Sequence, residues 1–192
     1  MQLQTFRPLI LRSNRSLASM LLEKKLVSQE QLDAANEKLV EHIQNGELRR
    51  ANLLHVLLFE MQVLSEDLYI DAVVEKYGLG LMDLHGCQFR KLADLKIEPM
   101  ACWATWTLPF DTVEDFYFLA TACYPSQPII KFWQEKYNGA NLIWYATGVR
   151  SLHAALERLE QQLGELSKIP NQNPAKTAST TKSPAPHIPG KN

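Results

Sequence analysis

A unit of sequence that occurs twice is the feature that most constrains how this chain can fold. Placing Leu21 on Leu58, an offset of 37 residues, aligns the two copies. The other aligned pairs are Leu22 with Phe59, Glu23 with Glu60, Leu26 with Val63, Val27 with Leu64, Ser28 with Ser65 and Ala35 with Ala72. Each copy reads as a helix end, a turn, an aliphatic pair and a second helix. Because repeated units of this kind pack their apolar faces together, the pattern predicts a helical region of two packed units.

Capping signals place the second helix of each unit. Ser28 and Ser65 both precede acidic residues, and a hydroxyl residue followed by carboxylates is typical of a helix N-terminus. Gly78 ends the helix that follows Ser65, because glycine readily takes the left-handed conformation at this position. Residues 79–84 are apolar without a helical period and predict a strand or an extended connector. Residues 1–15 mix arginine with apolar residues, and we predict an irregular or short extended lead there.

The second half of the chain alternates strand and helix signals. The predicted elements are a short helix at 89–95 closed by Pro99, strands at 102–110 and 116–122, a helix at 125–136, a strand at 142–146 and a helix at 151–166. The polar turn at 111–115 joins the first two strands into an antiparallel hairpin. Together these elements predict helices on one face of an antiparallel or mixed sheet.

The predicted fold class is therefore α+β. A helical tandem repeat at 1–84 packs on a small α/β layer at 85–166, which contains the hairpin. The segment 167–192 consists mainly of Pro, Ser, Thr, Asn and Lys, has almost nothing to bury, and is predicted to be a disordered tail.

Composition excludes several classes of protein. The formal net charge is −1 and the pI is near 6.5, whereas nucleic-acid-binding proteins normally carry a strongly basic face. The three cysteines are too few for a disulfide framework and contain no CxxC pair for zinc, which fits a reduced, cytoplasmic setting. No apolar run reaches the length of about 18 residues that a membrane span needs, so membrane contact is expected only through a partner.

Candidate catalytic groups are few. The chain has no Gly-rich loop carrying Lys and Ser or Thr, which an NTP site requires to cradle the phosphates. His85 and Cys87 are close in sequence, but no third group is in place to orient them. His42, His55 and His153 are dispersed, and each is interpreted as a surface or satisfied core residue rather than a metal ligand. We therefore predict a non-enzymatic protein without metal or cofactor. A hydrolase using Cys87 or a histidine is the alternative, and it would need a buried pocket around those residues.

Aromatic residues are concentrated around the predicted hairpin. The set is Trp103, Trp106, Phe110, Phe116, Tyr117 and Phe118. Since successive side chains of a strand point to opposite faces, a strand cannot bury all of them on one side. About half are predicted to lie in the core, and the others to form an exposed patch that binds a partner.

Three segments resemble a known family. They are LASMLLEKKLVSQEQLDAA at 17–35, LLHVLLFEMQVLSEDLYIDAVVEKYGLGLMDL at 53–84 and ATACYPSQ at 120–127. Over roughly residues 16–163 the chain resembles the N-terminal domain of type II secretion and type IV pilus assembly ATPases of the GspE/MshE type. The resemblance implies a domain that precedes a hexameric motor and docks on the cytoplasmic part of an inner-membrane platform protein. Here it implies a cytoplasmic adaptor or regulatory module without the motor, whose partner is the ATPase or the platform protein.

In one subgroup of that family, tandem motifs bind cyclic di-GMP, and the resemblance implies which residues correspond to them. These are Arg15, Leu21, Leu22, Leu26, Val27, Leu58, Phe59, Val63 and Leu64. The family's motif has, in chain order, an Arg position, two Gly positions and a closing Gln position. In the first copy of this chain these four positions hold Ser16, Ala18, Lys25 and Leu39. In the second copy they hold Leu53, His55, Gln62 and Lys76. Arginine supplies a bidentate donor and glycine permits close backbone approach, so these substitutions weaken the case for a nucleotide. A degenerate cyclic di-GMP sensor is the alternative function.

Overall fold

The structure, a computed structural model, describes residues 2–87 and 95–166. Its helices are α1 (Gln2–Glu23), α2 (Gln29–Asn45), α3 (Leu53–His55) continued by a π-helical turn (Val56–Glu60), α4 (Glu66–Tyr77), α5 (Pro99–Thr105), α6 (Gln127–Lys136) and α7 (Val149–Leu166). Its strands are β1 (Gly80–Leu81), β2 (Thr107–Val113), β3 (Phe116–Thr121) and β4 (Asn141–Ala146). The predicted α+β class is confirmed.

Residues 2–15 are helical, so the prediction of an irregular or short extended lead is wrong. They form the first part of α1, with Pro8 inside the helix. Phe6 and Ile10 are buried, and the Phe6 ring lies 6.0 Å from the ring of Phe132. Helix α1 packs against α5 and α6. Proline disfavours a helix interior, but this tertiary packing outweighs the missing backbone hydrogen bond.

The second helix of each repeat copy begins directly after its predicted N-cap, Ser28 or Ser65, although the Ser65 side chain makes no capping hydrogen bond. The Ser28 hydroxyl accepts from the Gln31 N–H at 3.2 Å, and the Gln31 side chain accepts from the Ser28 N–H at 2.8 Å, which completes a capping box. Gly46 ends α2 in the left-handed region, with φ +77°. Gly78 ends α4 in the same left-handed region, with φ +61°.

The sheet is mixed, with the strand order β1-β4-β3-β2. Strands β1 and β3 both pair with β4 in parallel, whereas β2 pairs with β3 in antiparallel fashion. The predicted hairpin is therefore confirmed. The register shifts between Pro109 and Asp111, which places a bulge at Phe110 in the edge strand β2. A proline and a bulge are common on edge strands because they discourage further pairing.

The strand predicted at 102–110 is wrong at its beginning. Residues 102–105 belong to α5, which starts at Pro99 and ends at the left-handed residue Trp106 with φ +49°. Pro99 therefore opens a helix instead of closing one, because its fixed φ and missing N–H suit the first helical turn. Residues 89–94 of the predicted short helix, and the predicted tail at 167–192, lie outside the described residues.

One continuous hydrophobic core contains buried residues from both 1–84 and 85–166. Leu21 and Leu54 contribute from the helical part, and Trp106 and Leu156 from the α/β part. The division into two subdomains stays a prediction. Among the described residues, no helix combines the length and apolar character that crossing a membrane would require.

Candidate functional site

A partly exposed apolar face of the sheet is the first candidate site. In the strand register, Phe116 and Phe118 of β3 share one face with Ile143 of β4 and Val113 of β2. Val113 is 51% exposed, Phe116 40% and Ile143 36%. The bulged Phe110 lies 6.3 Å from Phe118, measured between ring centroids. We call Phe110, Val113, Phe116, Phe118 and Ile143 the outer sheet face.

The opposite face of the same strands packs into the protein. Tyr117 stacks on Tyr137 at 3.9 Å between ring centroids, and Leu119 is fully buried. Trp103 and Trp106 are also buried, although Trp103 lies on α5 and not on a strand as predicted. Of the predicted aromatic set, Trp103 and Trp106 thus lie in the core and Phe116 is exposed, while Phe110, Tyr117 and Phe118 are half-buried.

Acidic residues surround the hairpin end of the outer sheet face. Glu114 and Asp115 form the turn, where Glu114 takes φ +55°, and Asp111 lies in β2 opposite Phe118. The Asp115 carboxylate accepts a hydrogen bond from the Asn141 side chain at 2.9 Å, which joins the turn to β4. The face therefore combines an apolar centre with a negatively charged end.

The residues implied for a cyclic di-GMP site lie in different environments. Arg15 is exposed on α1, and Leu22 is exposed. Leu21, Val27 and Leu64 are buried in the core, and Leu26, Leu58, Phe59 and Val63 are half-buried. Phe59 lies beside His55 and His153, and the Arg150 guanidinium is 6.0 Å from its ring. The assignment of these residues to a nucleotide stays a prediction.

The two copies of the repeat share an unusual backbone turn. Lys25 and Gln62, which occupy the same repeat position, both have φ +54°. After these residues the Leu26 N–H donates to the Leu21 carbonyl at 2.9 Å, and the Val63 N–H donates to the Leu57 carbonyl at 3.0 Å. The slot that resembles a family glycine is thus a left-handed position in both copies, occupied here by residues with a Cβ.

We expect glycine at these two turns to stabilise the protein. The left-handed conformation costs a residue with a Cβ about 1–2 kcal/mol, and the added freedom of glycine in the unfolded chain offsets part of that gain. Lys25→Gly and Gln62→Gly should each raise the free energy of unfolding by about 0.5–1 kcal/mol in urea titrations. Glu37→Gly, on the exposed face of α2, is the control and should lower it by a similar amount. A loss in all three variants would contradict the strain argument.

A histidine cluster is the second candidate site, and the sequence did not predict it. The ring centroids of His42 and His55 are 6.5 Å apart, and those of His55 and His153 are 6.1 Å apart. The three residues come from α2, α3 and α7. Their separation along the chain hides this proximity, because it depends on how α7 packs against the repeat.

His42 lies between two carboxylates. Its Nδ1 is 2.6 Å from Glu47 and its Nε2 is 2.7 Å from Glu60, which also accepts from Arg50 at 2.7 Å. Burial alone would raise the pKa of Glu60, but the hydrogen bonds from Arg50 and His42 outweigh it and lower this pKa below its ordinary value. The prediction of a satisfied core residue holds for His42.

Unlike His42, His55 and His153 each have one ring nitrogen without a hydrogen-bond partner among the described residues. These nitrogens, His55 Nδ1 and His153 Nε2, are buried. Burial is the main cause that lowers the pKa of both imidazoles, to about 4 for His153, where nearby His55 and Arg49 add to the effect. The His153 ring also lies against Trp106 and Trp103, with centroids 4.6 and 5.0 Å away.

A surface pocket of about 570 Å³ opens next to this cluster. Its lining residues are Gly46, Glu47, Leu48, Arg49, Arg50, Met100, Trp103 and Glu160. The Arg49 guanidinium lies 5.2 Å from the Trp103 ring and forms an ion pair with Glu160. The Trp103 indole N–H donates to the same carboxylate at 3.0 Å. Arg49 thus ties the loop before α3 to α5 and α7.

The cysteine chemistry gives no support to a hydrolase. Burial raises the pKa of Cys87, and Asp111 adds to this rise while Arg158 opposes it. A thiol with a raised pKa stays protonated and is a poor nucleophile. In the part of the chain that the structure describes, no three His, Cys, Asp or Glu residues are placed to hold a metal ion.

Comparisons with known proteins give matches of structure only. The sequence matches no protein-family model and no curated protein sequence. A solved structure of MshE with cdg (cyclic di-GMP) is 16% identical, with a TM-score of 0.46, and the match covers 74% of this chain and 96% of that one. A structure of the N-terminal domain of XpsE is 16% identical, with a TM-score of 0.47, and the match covers 75% of this chain and 94% of that one. The structural neighbours are thus of the kind that the sequence resembles.

Proposed function

We propose that this chain is a non-enzymatic adaptor or regulatory module of a type II secretion or type IV pilus system. It binds a partner protein through the outer sheet face. The observation that carries this proposal is the exposure of Val113, Phe116 and Ile143 side by side on one face of the sheet. Exposed clustered apolar residues usually mark interaction sites, since leaving them in water is unfavourable.

The sequence resemblance names the partner, and the surface suggests how it binds. The partner is the assembly ATPase or the inner-membrane platform protein. The aromatic rings of Phe110, Phe116 and Phe118 supply the rigid apolar contacts that dominate binding energy at interfaces. Glu114 and Asp115 at the hairpin end favour a partner surface that carries Lys or Arg beside an apolar strip.

The test measures the affinity of the purified chain for the candidate ATPase and for the cytoplasmic part of the platform protein. The variant Phe116→Ser/Ile143→Ser removes two exposed apolar contacts without opening the core, and we expect its affinity to fall by at least about tenfold. Leu68→Ser is the matched control, because Leu68 is an exposed leucine on α4 and not part of the outer sheet face. Equal affinities of the double variant and the unchanged chain for a partner would overturn the proposed surface.

A second candidate function is a degenerate cyclic di-GMP sensor. The paired left-handed turns at Lys25 and Gln62 favour it, because both lie at positions that correspond to glycine in the motif that the sequence resembles. Calorimetric titration with cyclic di-GMP tests it, with Arg15→Ala as the control variant. Saturable binding that the substitution abolishes would support the sensor, and absence of heat at high micromolar ligand would leave the repeat as a scaffold.

A further inference from the structure

The histidine cluster lies where the helical repeat meets the α/β part. We call this contact the seam, formed by α2, α3 and the π-helical turn on one side and by α5 and α7 on the other. His55 comes from the repeat and His153 from α7, and their rings stack with an interplanar angle of 19°. Phe59, Trp103 and Trp106 surround the pair with ring contacts.

We propose that this cluster makes the seam sensitive to protons: the seam is held together by neutral His55 and His153 and weakens when they take up protons. His55 Nδ1 and His153 Nε2 are both buried without a hydrogen-bond partner among the described residues. A proton on either nitrogen would create a buried N–H that no described acceptor satisfies. The rings would then also carry like charges at a centroid distance of 6.1 Å.

The charged groups around the pair determine which histidine tolerates a proton. The cations are Lys38, Arg49, Arg50 and Arg150, and the anions are Glu47, Glu60, Glu157 and Glu160. Glu60 lies 3.6 Å from His55 Nε2 and favours its charged form, whereas Arg50 and His42 disfavour it. His153 faces His55 and Arg49, both of which oppose a positive charge. His153 is therefore the residue at which protonation is most unfavourable.

The direction of the pH effect follows from these environments. In the unfolded chain a histidine takes up its proton near pH 6.5, whereas burial lowers the pKa of His153 in the folded protein to about 4. Between these values the unfolded chain binds more protons, so acidification favours unfolding. Stability is therefore unaffected by His153 above about pH 6.5 and falls as the pH decreases toward 4.

Denaturant titrations of the full chain at about pH 7.5 and about pH 5 test this proposal. We expect the unfolding equilibrium constant to rise about tenfold or more between the two conditions. His153→Phe keeps a ring in the aromatic surroundings but removes the titrating group, and it should lose most of that rise. His85→Gln is the control, because His85 is exposed, and it should keep the full rise. An equal rise in the His153→Phe variant and the unchanged chain would overturn the proposal.

A second measurement does not depend on any variant. The histidine ring resonances of the unchanged protein can be followed by NMR as the pH is lowered. A resonance assigned to His153 that titrates well below pH 6 supports a protected neutral imidazole. Titration of that resonance near pH 6.5 would show an ordinary exposed histidine and would contradict the proposed seam.

Discussion

Trp133→Ala is expected to lower the free energy of unfolding by about 3–5 kcal/mol. Trp133 is fully buried on α6, and its indole N–H donates to the Thr105 hydroxyl of α5 at 3.2 Å. Its ring lies 5.8 Å from Tyr137 and 5.3 Å from Phe132, measured between centroids. Alanine would leave a cavity at the point where α6, α5 and the sheet meet, because helices held by other contacts cannot collapse into it fully.

Urea unfolding followed by far-UV circular dichroism measures this loss. Trp133→Phe is the matched control, because phenylalanine keeps most of the ring volume and removes the hydrogen bond to Thr105. That variant should lower the free energy of unfolding by only about 1–2 kcal/mol. If the alanine variant were no less stable than the phenylalanine variant, packing around Trp133 would not be the main contribution.

Glu60→Ala is expected to lower the free energy of unfolding at neutral pH by about 2–4 kcal/mol. Glu60 accepts from His42 and from Arg50, both at 2.7 Å, and its side chain is only 14% exposed. Its removal would leave buried His42 with a single carboxylate, Glu47. The half-exposed Arg50 regains water, which keeps the cost below that of a fully buried pair.

The pH dependence of this effect differs from that of the seam histidines. The pKa of Glu60 in the folded protein lies below its ordinary value of 4.5. Its contribution is therefore present above about pH 4.5 and is lost as the pH falls through the lowered pKa. Thermal or urea unfolding of Glu60→Ala and the unchanged chain at neutral pH and near pH 3 checks this. Glu41→Ala is the control, because Glu41 is an exposed carboxylate of α2, and it should change the free energy of unfolding by less than about 0.5 kcal/mol. A Glu60→Ala cost that did not shrink in acid would argue against the ion pairs.

Local signals predicted most of the elements correctly. The helix predicted at 151–166 is present as α7, and its apolar residues Leu152, Ala155, Leu156 and Leu159, which recur at helical spacing, are all buried. The capping box at Ser28 and the glycine after Tyr77 likewise have near-neighbour partners in sequence. Such features can be read from sequence because the physical interaction lies within one or two helical turns.

The errors share a physical cause. Residues 2–15 contain a proline and several arginines, yet they are helical because Phe6 and Ile10 pack on distant residues. Residues 102–105 have strand propensity, yet they continue a helix that starts at Pro99. In both cases burial against elements far along the chain outweighed the local conformational preference of the residues, which is less than about 1 kcal/mol per residue.

The sequence alone determined the repeat, the helix caps and the mixture of helices and strands in the second half. These features depend on local periodicity and on residues a few positions apart. Other features needed the folded chain. The Glu66 carboxylate lies after a predicted N-cap, but it accepts a hydrogen bond from the Val149 N–H of α7 at 2.6 Å. The histidine cluster and the outer sheet face arise in the same way, because contacts between distant segments and the pairing of strands are decided by tertiary packing and register.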